Sequence, residues 1–120
     1  MSEKTFGVGI LGFGFMGKVH AYGHLNLPLY YNPPPLKTRL IGVCTSNKET
    51  ARKAMDTLNF QAGVTDYRQL ISRDDIDIIH ICTPNIYHHD AILMAMKHNK
   101  HIYCDKPMVM NAREAKDVHD

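Results

Sequence analysis

The sequence has little of what marks several large protein classes. Its formal net charge is only +2, and its fourteen lysines and arginines are scattered along 120 residues. No aromatic residues alternate with them, so we do not expect the basic, stacking surface of a nucleic-acid-binding domain. The longest apolar runs, residues 6–15 and 78–81, are much shorter than a membrane span of about 20 residues. We therefore expect neither a nucleic acid nor a membrane as partner.

Cysteine is also scarce. The three cysteines are an odd number and lack the spacing of a metal site. The N-terminal residues MSEKT do not resemble a secretory signal, and no low-complexity linker or short repeat interrupts the chain. These absences favour a reduced, cytoplasmic protein without structural disulfides.

The composition that remains is that of an ordinary globular domain. Hydrophobic residues make up 44% of the chain and charged residues 22%. A chain of 120 residues is long enough to bury a core without covalent staples. We expect one domain over residues 1–120.

The stretch TFGVGILGFGFMGKVH, residues 5–20, has the most informative pattern. A short apolar run predicts a buried strand, and Gly12, Gly14 and Gly17 follow as G-x-G-x-x-G before a helical pattern begins. In such a turn the first glycine permits a sharp reversal, the second lets backbone approach a pyrophosphate, and the third lets helix and strand pack closely. The helix N-terminus then favours phosphate. A structural glycine turn without a ligand is the alternative.

Downstream patterns predict an alternating β-α order ending inside a helix, hence a doubly wound, three-layer α/β/α parallel sheet, the Rossmann fold. In the first helix we expect Val19, Leu25 and either Ala21 or Tyr22 to face the sheet, with Pro28 ending the helix. The N-cap of the second helix is expected at Ser46 or Asn47, and that of the third at Asp66. The predicted strands after the first are 39–44, 60–64, 76–82 and 101–104; the predicted helices are 16–27, 48–58, 66–72, 86–98 and one opening at 111.

In an open α/β sheet, ligands bind beyond the carboxyl ends of the strands. The segments that follow strands should therefore share one crevice: 12–17, 45–48, 83–85 and 105–107.

The segment after the second strand departs from the usual dinucleotide pattern. Where Asp or Glu commonly binds the adenosine ribose, this chain has Thr45-Ser46-Asn47-Lys48. Hydroxyls at Thr45 and Ser46, with Lys48 and Arg52 near a helix N-terminus, suit a 2′-phosphate and tilt the prediction from NAD toward NADP. Ordinary helix capping by solvated residues is the competing interpretation.

The histidines give weaker signals. His20 and His24 have the i, i+4 spacing of zinc ligands, but no third ligand or HExxH pattern accompanies them, so we expect no metal. His80, inside an apolar strand, is expected to be a hydrogen-bonded core residue. His88 and His89 open a helix that faces the crevice, and one of them is expected to contact ligand.

Three motifs in order resemble the N-terminal domain of the Gfo/Idh/MocA superfamily of glucose-fructose oxidoreductase and inositol dehydrogenase relatives. They are LGFGFMGKVH, CTPNIYHHDAI after the fourth strand, and YCDKPMVMNAREA after the fifth. The resemblance covers essentially the whole chain. It implies an NAD(P)-dependent oxidoreductase acting on a sugar, polyol or similar hydroxy compound, with a second α/β domain supplying most of the substrate site.

The same resemblance implies roles for individual residues. It places the pyrophosphate against Gly12, Phe13, Gly14, Met16 and Gly17. It places the nicotinamide half against Thr83, Pro84, Asn85 and His88.

Lys106 corresponds to the lysine of the family's Glu-Lys-Pro motif, which implies hydrogen bonding to the substrate hydroxyl and a part in its proton transfer. Asp105 stands where the family has glutamate, so its contact with the nicotinamide ribose is less well supported. Independently of the family, a lysine held between a buried strand and Pro107 has little freedom, and partial burial lowers a lysine pKa toward catalytic values. An exposed loop lysine paired with Asp105 is the alternative.

Two other functions compete with an oxidoreductase. A non-catalytic dinucleotide sensor would use the same fold, and a glycine-rich methyltransferase would share the first turn but leave the later motifs unexplained. Because the chain ends inside a predicted helix, we expect a fragment that lacks a C-terminal substrate domain, and its bare sheet edge is expected to favour homo-oligomers.

Overall fold

The computed structural model describes residues 5–30, 37–83, 88–104 and 111–119. Five strands alternate with five helices along the chain, in the predicted order. Their bounds are β1 Thr5–Leu11, α1 Phe15–Tyr30, β2 Lys37–Cys44, α2 Lys48–Leu58, β3 Ala62–Val64, α3 Arg68–Ile71, β4 Ile78–Ile81, α4 His88–Lys97, β5 His101–Cys104 and α5 Ala112–His119.

The strands form a single parallel sheet in the order β3-β2-β1-β4-β5. The chain starts in the middle, builds outward to one edge, and then crosses back to build the other half. This order confirms the predicted doubly wound sheet, in which the switch of direction lies between β1 and β4.

Helices cover both faces of the sheet, giving the predicted three layers. Alternate strand residues point to opposite faces because the side-chain period of a strand is two. On the face covered by α1 and α2, here called the α1/α2 face, the buried residues are Val8, Ile10, Ala21, Leu40, Val43, Ala54 and Phe60. On the opposite α3/α4/α5 face they are Leu11, Ile41, Cys44, Leu70, Ile71, Ile76, Ile79, Ile81, Ala91, Ile92 and Ala95.

The pairing of β1 with β2 contains an irregularity. Val8 pairs with Leu40, but the next residue, Gly9, pairs with Gly42, so Ile41 is an extra residue in β2. Such a bulge places two successive side chains on one face. It explains why Leu40 and Val43, three residues apart, both reach the core of the α1/α2 face.

Asparagines mark several helix ends. Asn47 is the N-cap of α2, and its Oδ1 accepts a hydrogen bond from Thr50 N at 2.9 Å. Asn59 and Asn99, which follow α2 and α4, both have φ of 58°, the left-handed geometry predicted for Asn99. Asn111 Oδ1 accepts from Glu114 N at 2.9 Å and thereby caps α5 as the sequence predicted.

The predicted packing of α1 is wrong in two respects. Val19, Tyr22 and Leu25 are 44%, 64% and 51% exposed, so of the expected residues only Ala21 faces the core. The sheet contacts fall instead on small residues and histidines, a pattern that apolar periodicity does not detect. The helix also runs past Pro28 to Tyr30, because a proline in the last turn removes one backbone hydrogen bond without ending the helix.

Other boundaries differ by a few residues. The third and fourth strands are shorter than predicted, starting at Ala62 and Ile78. The third helix begins after Asp66, whose Oδ1 accepts from Arg68 N at 3.0 Å although Tyr67 occupies the N-cap position. Among the helices in the described ranges, none is both long and apolar enough to span a membrane.

Candidate dinucleotide-binding site

The carboxyl ends of four neighbouring strands lie together at one edge of the sheet. Gly12 N donates to Cys44 O at 2.8 Å, and Cys82 N donates to Leu11 O at 2.8 Å. The first bond joins the residue after β1 to the end of β2, and the second joins the residue after β4 to the end of β1. Thr45 N likewise donates to Val64 O at 3.0 Å and so joins the end of β2 to the end of β3.

The first and third glycines of the turn are required by the protein itself. Gly12 has φ of +88°, and a Cβ placed there would lie 2.7 Å from Cys82 O. A Cβ on Gly17 would lie 2.1 Å from Gly12 O, a distance that no side chain tolerates. The turn and the start of α1 therefore pack backbone against backbone, as the spacing predicted.

The second glycine, Gly14, differs from the other two. Among the described residues, no atom lies within 4 Å of a Cβ placed at Gly14, and the φ of Gly14 is not positive. The residue is exposed at the start of α1, whose first turn carries no acidic residue to offset the positive end of the helix. Neither protein packing nor backbone strain accounts for this glycine, whereas a phosphate approaching the helix N-terminus would.

Thr83, the second residue after β4, presents an unusual hydroxyl. Its Oγ1 is buried and has no hydrogen-bond partner within the part of the chain that the structure describes. The Thr83 carbonyl oxygen accepts a hydrogen bond from His88 Nε2 at 2.7 Å. A buried hydroxyl normally finds a partner, so this atom is an exception among the described residues.

His88, at the start of α4, is 1% exposed and bonds to the Thr83 carbonyl. Besides the Thr83 carbonyl, its Nδ1 lies 3.5 Å from Cys104 Sγ. The geometry suits a residue that positions Thr83 more than one that faces a ligand. His89 instead lies 3.2 Å from Asp117 Oδ2 of α5.

In the turn after β2, some residues form hydrogen bonds within the turn and others are exposed. Asn47 caps α2, and Thr45 Oγ1 donates to Asn47 O at 2.9 Å. Ser46 and Lys48 are exposed at the helix N-terminus. The capping interpretation therefore holds for Asn47, while Ser46 and Lys48 face solvent at the crevice edge.

A groove between α1 and α2 opens beside this turn. Its volume is about 480 Å³, and it was not predicted from the sequence. Lys18 lies on one wall and Lys53 on the other, with the Lys18 Nζ 5.8 Å from the centre of the Phe13 ring. Its walls come from helices separated in sequence, so no local motif marks it. The lining residues are Phe13, Lys18, Tyr22, Thr45, Thr50, Lys53, Ala54, Thr57 and Leu58.

The remaining predicted site residues are Met16, Pro84, Asn85, Asp105 and Lys106. Met16 is half-buried in the first turn of α1. Pro84, Asn85, Asp105 and Lys106 lie outside the described residues.

Comparison with known proteins decides the family. Residues 6–120 match the family model of the Gfo/Idh/MocA oxidoreductases, described as an NAD-binding Rossmann fold. The chain belongs to the Gfo/Idh/MocA family. This membership confirms the resemblance found from the three motifs.

Individual relatives of this Gfo/Idh/MocA chain are sugar and polyol dehydrogenases. Levoglucosan dehydrogenase of Pseudarthrobacter phenanthrenivorans is 33% identical over 98% of the chain, and inositol 2-dehydrogenase/D-chiro-inositol 3-dehydrogenase of Lactiplantibacillus plantarum is 26% identical over 94%. A solved structure of levoglucosan dehydrogenase in complex with NADH superposes with a TM-score of 0.93 at 32% identity and covers 98% of the chain.

The chain spans only part of these Gfo/Idh/MocA relatives. It covers 30% of the levoglucosan dehydrogenase sequence, 31% of the inositol dehydrogenase sequence and 32% of the superposed NADH complex. The shared region is thus the NAD-binding Rossmann domain.

His20 and His24 have the i, i+4 spacing of potential metal ligands. No group of three or more His, Cys, Asp or Glu side chains among the described residues is arranged to hold a metal ion. His80 is a hydrogen-bonded core residue, as predicted, and its partners are His20 and His24.

Proposed function

We propose that this chain is the cofactor-binding part of an NAD(P)-dependent oxidoreductase that passes hydride between nicotinamide and a hydroxyl-bearing carbon of a sugar or polyol. The observation that carries the proposal is the open approach to Gly14 at the N-terminus of α1. Membership of an NAD-binding family and similarity to levoglucosan and inositol dehydrogenases support it. When bound, the dinucleotide supplies the hydride chemistry, and the protein supplies binding and orientation.

The residues divide between the two halves of the ligand. In this proposal the Gly12–Gly17 turn receives the pyrophosphate, and Thr83, Pro84 and Asn85 line the nicotinamide half. The Thr83 hydroxyl, which has no partner among the described residues, supports the second assignment, and His88 Nε2 bonds to the Thr83 carbonyl.

Lys106 is proposed to hydrogen-bond the substrate hydroxyl and to take part in its proton transfer. β5 ends at Cys104, which pairs with Ile81 at the end of β4. The end of β5 therefore lies at the same edge of the sheet as the end of β4, which Thr83 follows. Asp105 is proposed to lie against the nicotinamide ribose.

Titration of NADH, followed by its fluorescence, tests the cofactor proposal. We expect Gly14→Ala to weaken binding by roughly tenfold, because its methyl group would occupy the space of a phosphate. Gly23→Ala is a matched control, since Gly23 lies on the same helix and also meets no atom within 4 Å. Equal affinities for the two variants and the unchanged protein would contradict the proposed binding mode.

The preference for NADP over NAD is a finer proposal about the groove between α1 and α2. Ser46 and Lys48 are exposed beside it, and Lys18 and Lys53 line it, so positive charge surrounds the expected position of a 2′-phosphate. Arg52 adds a cation on the exposed side of α2.

Comparing NADPH with NADH tests that preference. We expect Lys53→Gln to weaken NADPH binding by about fivefold and to leave NADH binding unchanged, because only NADPH carries the additional phosphate. Lys97→Gln, at the exposed end of α4, is the control. If Lys53→Gln affects both dinucleotides equally, the groove does not select the phosphate.

A dinucleotide sensor remains the second candidate, because Asp105 replaces the family's glutamate beside Lys106. The full-length protein separates the two functions. As an oxidoreductase it would lose turnover of polyols on Lys106→Ala substitution while retaining cofactor affinity, with Lys97→Ala as control. Cofactor binding with no turnover of any polyol tested would favour the sensor.

We further propose that the 120 residues are one domain of a longer cytoplasmic protein whose second domain completes the substrate site, and that the protein self-associates. The share of its relatives that the chain covers supports the first point. Light scattering on the full-length protein would measure the oligomeric state.

A further inference from the structure

Three histidines from distant parts of the sequence form one continuous hydrogen-bonded chain beneath α1. His80 of β4 is in the middle, with its Nδ1 3.0 Å from His20 Nδ1 and its Nε2 2.6 Å from His24 Nε2. The chain continues at one end to Thr38 Oγ1, 3.1 Å from His24 Nδ1, and at the other to Cys82 Sγ, 3.3 Å from His20 Nδ1. It links α1 to the central strands β2 and β4.

The hydrogen-bonding capacity of imidazole matches this chain when all three rings are neutral. A neutral ring has one donor and one acceptor nitrogen, and each contact between two ring nitrogens needs one of each. If His24 donates to His80, then His80 donates to His20 and His24 accepts from Thr38. The reversed direction is equally consistent, so the neutral chain has two complementary arrangements and satisfies His80 in both.

The described residues provide no counter-ion for a positive charge at the centre of the chain. His80 is 6% exposed, and the Tyr103 ring of β5 packs over it at 5.3 Å between centroids. The titratable groups that face it are His20 and His24 from α1, Cys82 from the end of β4 and Tyr103 from β5. No carboxylate bonds to these histidines among the described residues.

The titration of the rings agrees with this geometry. Burial, followed by the charges of His24 and His20, lowers the pKa of His80 to about 3. Burial and then the charge of His20 lower the pKa of His24 below its ordinary value. In the unfolded chain both histidines would titrate near 6.5.

We propose that the His20–His80–His24 chain is an acid-sensitive brace that holds α1, and with it the Gly12–Gly17 turn, against β4. At neutral pH the brace is complete. Acidification favours states in which α1 has moved away from β4 and the rings are solvated, and these states lack the arranged helix N-terminus. The loss of dinucleotide affinity in acid rests on the proposed function, whereas the loss of fold stability does not.

The direction of the pH effect follows from the lowered pKa values. Below about pH 6.5 the unfolded chain binds protons that the folded protein excludes, so stability falls as the pH falls. Above pH 7 neither state carries these protons, and the brace contributes its full stability. We expect the midpoint of thermal unfolding to be level between pH 7 and 8 and to fall by about 5–10 °C between pH 7 and 5.5.

Substitution at the centre of the chain tests the brace. His80→Phe keeps an aromatic ring beside Tyr103 but cannot take up a proton, so its unfolding midpoint should depend much less on pH in the same range. His98→Gln, at an exposed position after α4, should retain the full dependence. If His80→Phe and His98→Gln show the same acid dependence, the brace is not the sensor.

Nuclear magnetic resonance of the unsubstituted protein gives a test that does not require a variant to fold. Nitrogen-15 shifts of the imidazole rings report protonation and tautomer directly. We expect His80 to remain neutral at pH 5.5, with its hydrogen on one ring nitrogen. Titration of His80 near pH 6.5 in the folded protein would overturn the proposal.

NADH titrations at pH 7.5 and at the lower pH at which half of His80 is protonated in the resonance experiment connect the brace to binding. We expect the affinity at the lower pH to be about half of that at pH 7.5 in the unsubstituted protein and in His98→Gln, and to be reduced less in His80→Phe. Absence of NADH binding at pH 7.5 would contradict the proposed function, and the unfolding and resonance data would still decide the brace. Equal affinity at both pH values in the unsubstituted protein would contradict the coupling to the turn.

Discussion

The two faces of the sheet are packed with different chemistry. On the α3/α4/α5 face, Ile79 and Ile81 of β4 lie among leucine, isoleucine and alanine side chains. On the α1/α2 face, the same strand contributes Ile78 and His80, and His80 meets two further histidines instead of aliphatic groups. The helix α1, which follows the Gly12–Gly17 turn, is therefore the one held partly by polar contacts.

This difference separates the stability of the fold from the arrangement of its site. Buried aliphatic groups give a stabilisation that depends little on pH, because nothing in them titrates. Imidazole contacts are directional and sensitive to protons. The face with the aliphatic core supports the sheet through contacts that do not titrate, and the face with the histidines holds α1 through contacts that protons can alter.

The largest expected effect on the free energy of unfolding comes from substituting two neighbouring residues of β4. Ile79 is fully buried on the α3/α4/α5 face, so Ile79→Ala should lower the free energy of unfolding by about 3 kcal/mol. Ile78 is only partly buried on the other face, and Ile78→Ala should cost about 1 kcal/mol. Urea unfolding at pH 7.5 measures both values. Equal losses would mean that the two faces contribute alike.

A smaller effect is expected at the alkaline end of the pH range. Burial, with a lesser contribution from Asp66, raises the pKa of Cys44 from 9.0 to about 11. Stability from the neutral thiol is therefore complete below pH 9 and is lost as the pH rises toward 11, with a limiting slope of about 1.4 kcal/mol per pH unit. Cys44→Ala should flatten this part of the stability curve measured by urea unfolding.

Cys104→Ala is the control for that measurement, because Cys104 is less buried than Cys44. Together with the acid response of the histidines, the result would show the two faces losing stability at opposite ends of the pH scale. An alkaline slope unchanged by Cys44→Ala would remove the thiol from this comparison.

The smallest effect concerns the start of α2. Asn47→Ala removes the side-chain bond to Thr50 N and should lower the free energy of unfolding by about 1 kcal/mol. Ser46→Ala at the adjacent exposed position should change stability little, since Asn47 alone occupies the N-cap. Chemical unfolding of both variants checks the pair, and a larger loss for Ser46→Ala would reassign the cap.

Much of the fold could be predicted because local chemistry and tertiary packing agree. The predicted bounds of α2 and β5 match the structure, since an asparagine cap, an amphipathic pattern and a short apolar run each give a clear signal. The predicted convergence of Gly12, Thr45 and Thr83 at one edge also holds, because parallel strands place their carboxyl ends together.

The packing of α1 could not be predicted in the same way. Periodicity arguments assign apolar residues to the inside, which selected Val19 and Leu25 and passed over His20 and His24. The histidines are buried only because His80 lies opposite them, and His80 is 60 and 56 residues away along the chain. A single sequence gives no signal for a partner at that distance.

Ile41, the additional residue in β2, shifts the alternation of side chains along the strand by one position. Before Ile41, the even-numbered Leu40 points to the α1/α2 face. After Ile41, the odd-numbered Val43 points to that face. Because Gly42 already pairs with Gly9, deletion of Ile41 would restore a regular ladder without changing the pairing or the orientation of Val43 and Cys44. The bulge thus lets β2 hold one additional residue while it still brings Cys44 and Thr45 to the edge of the sheet where the ligand is expected.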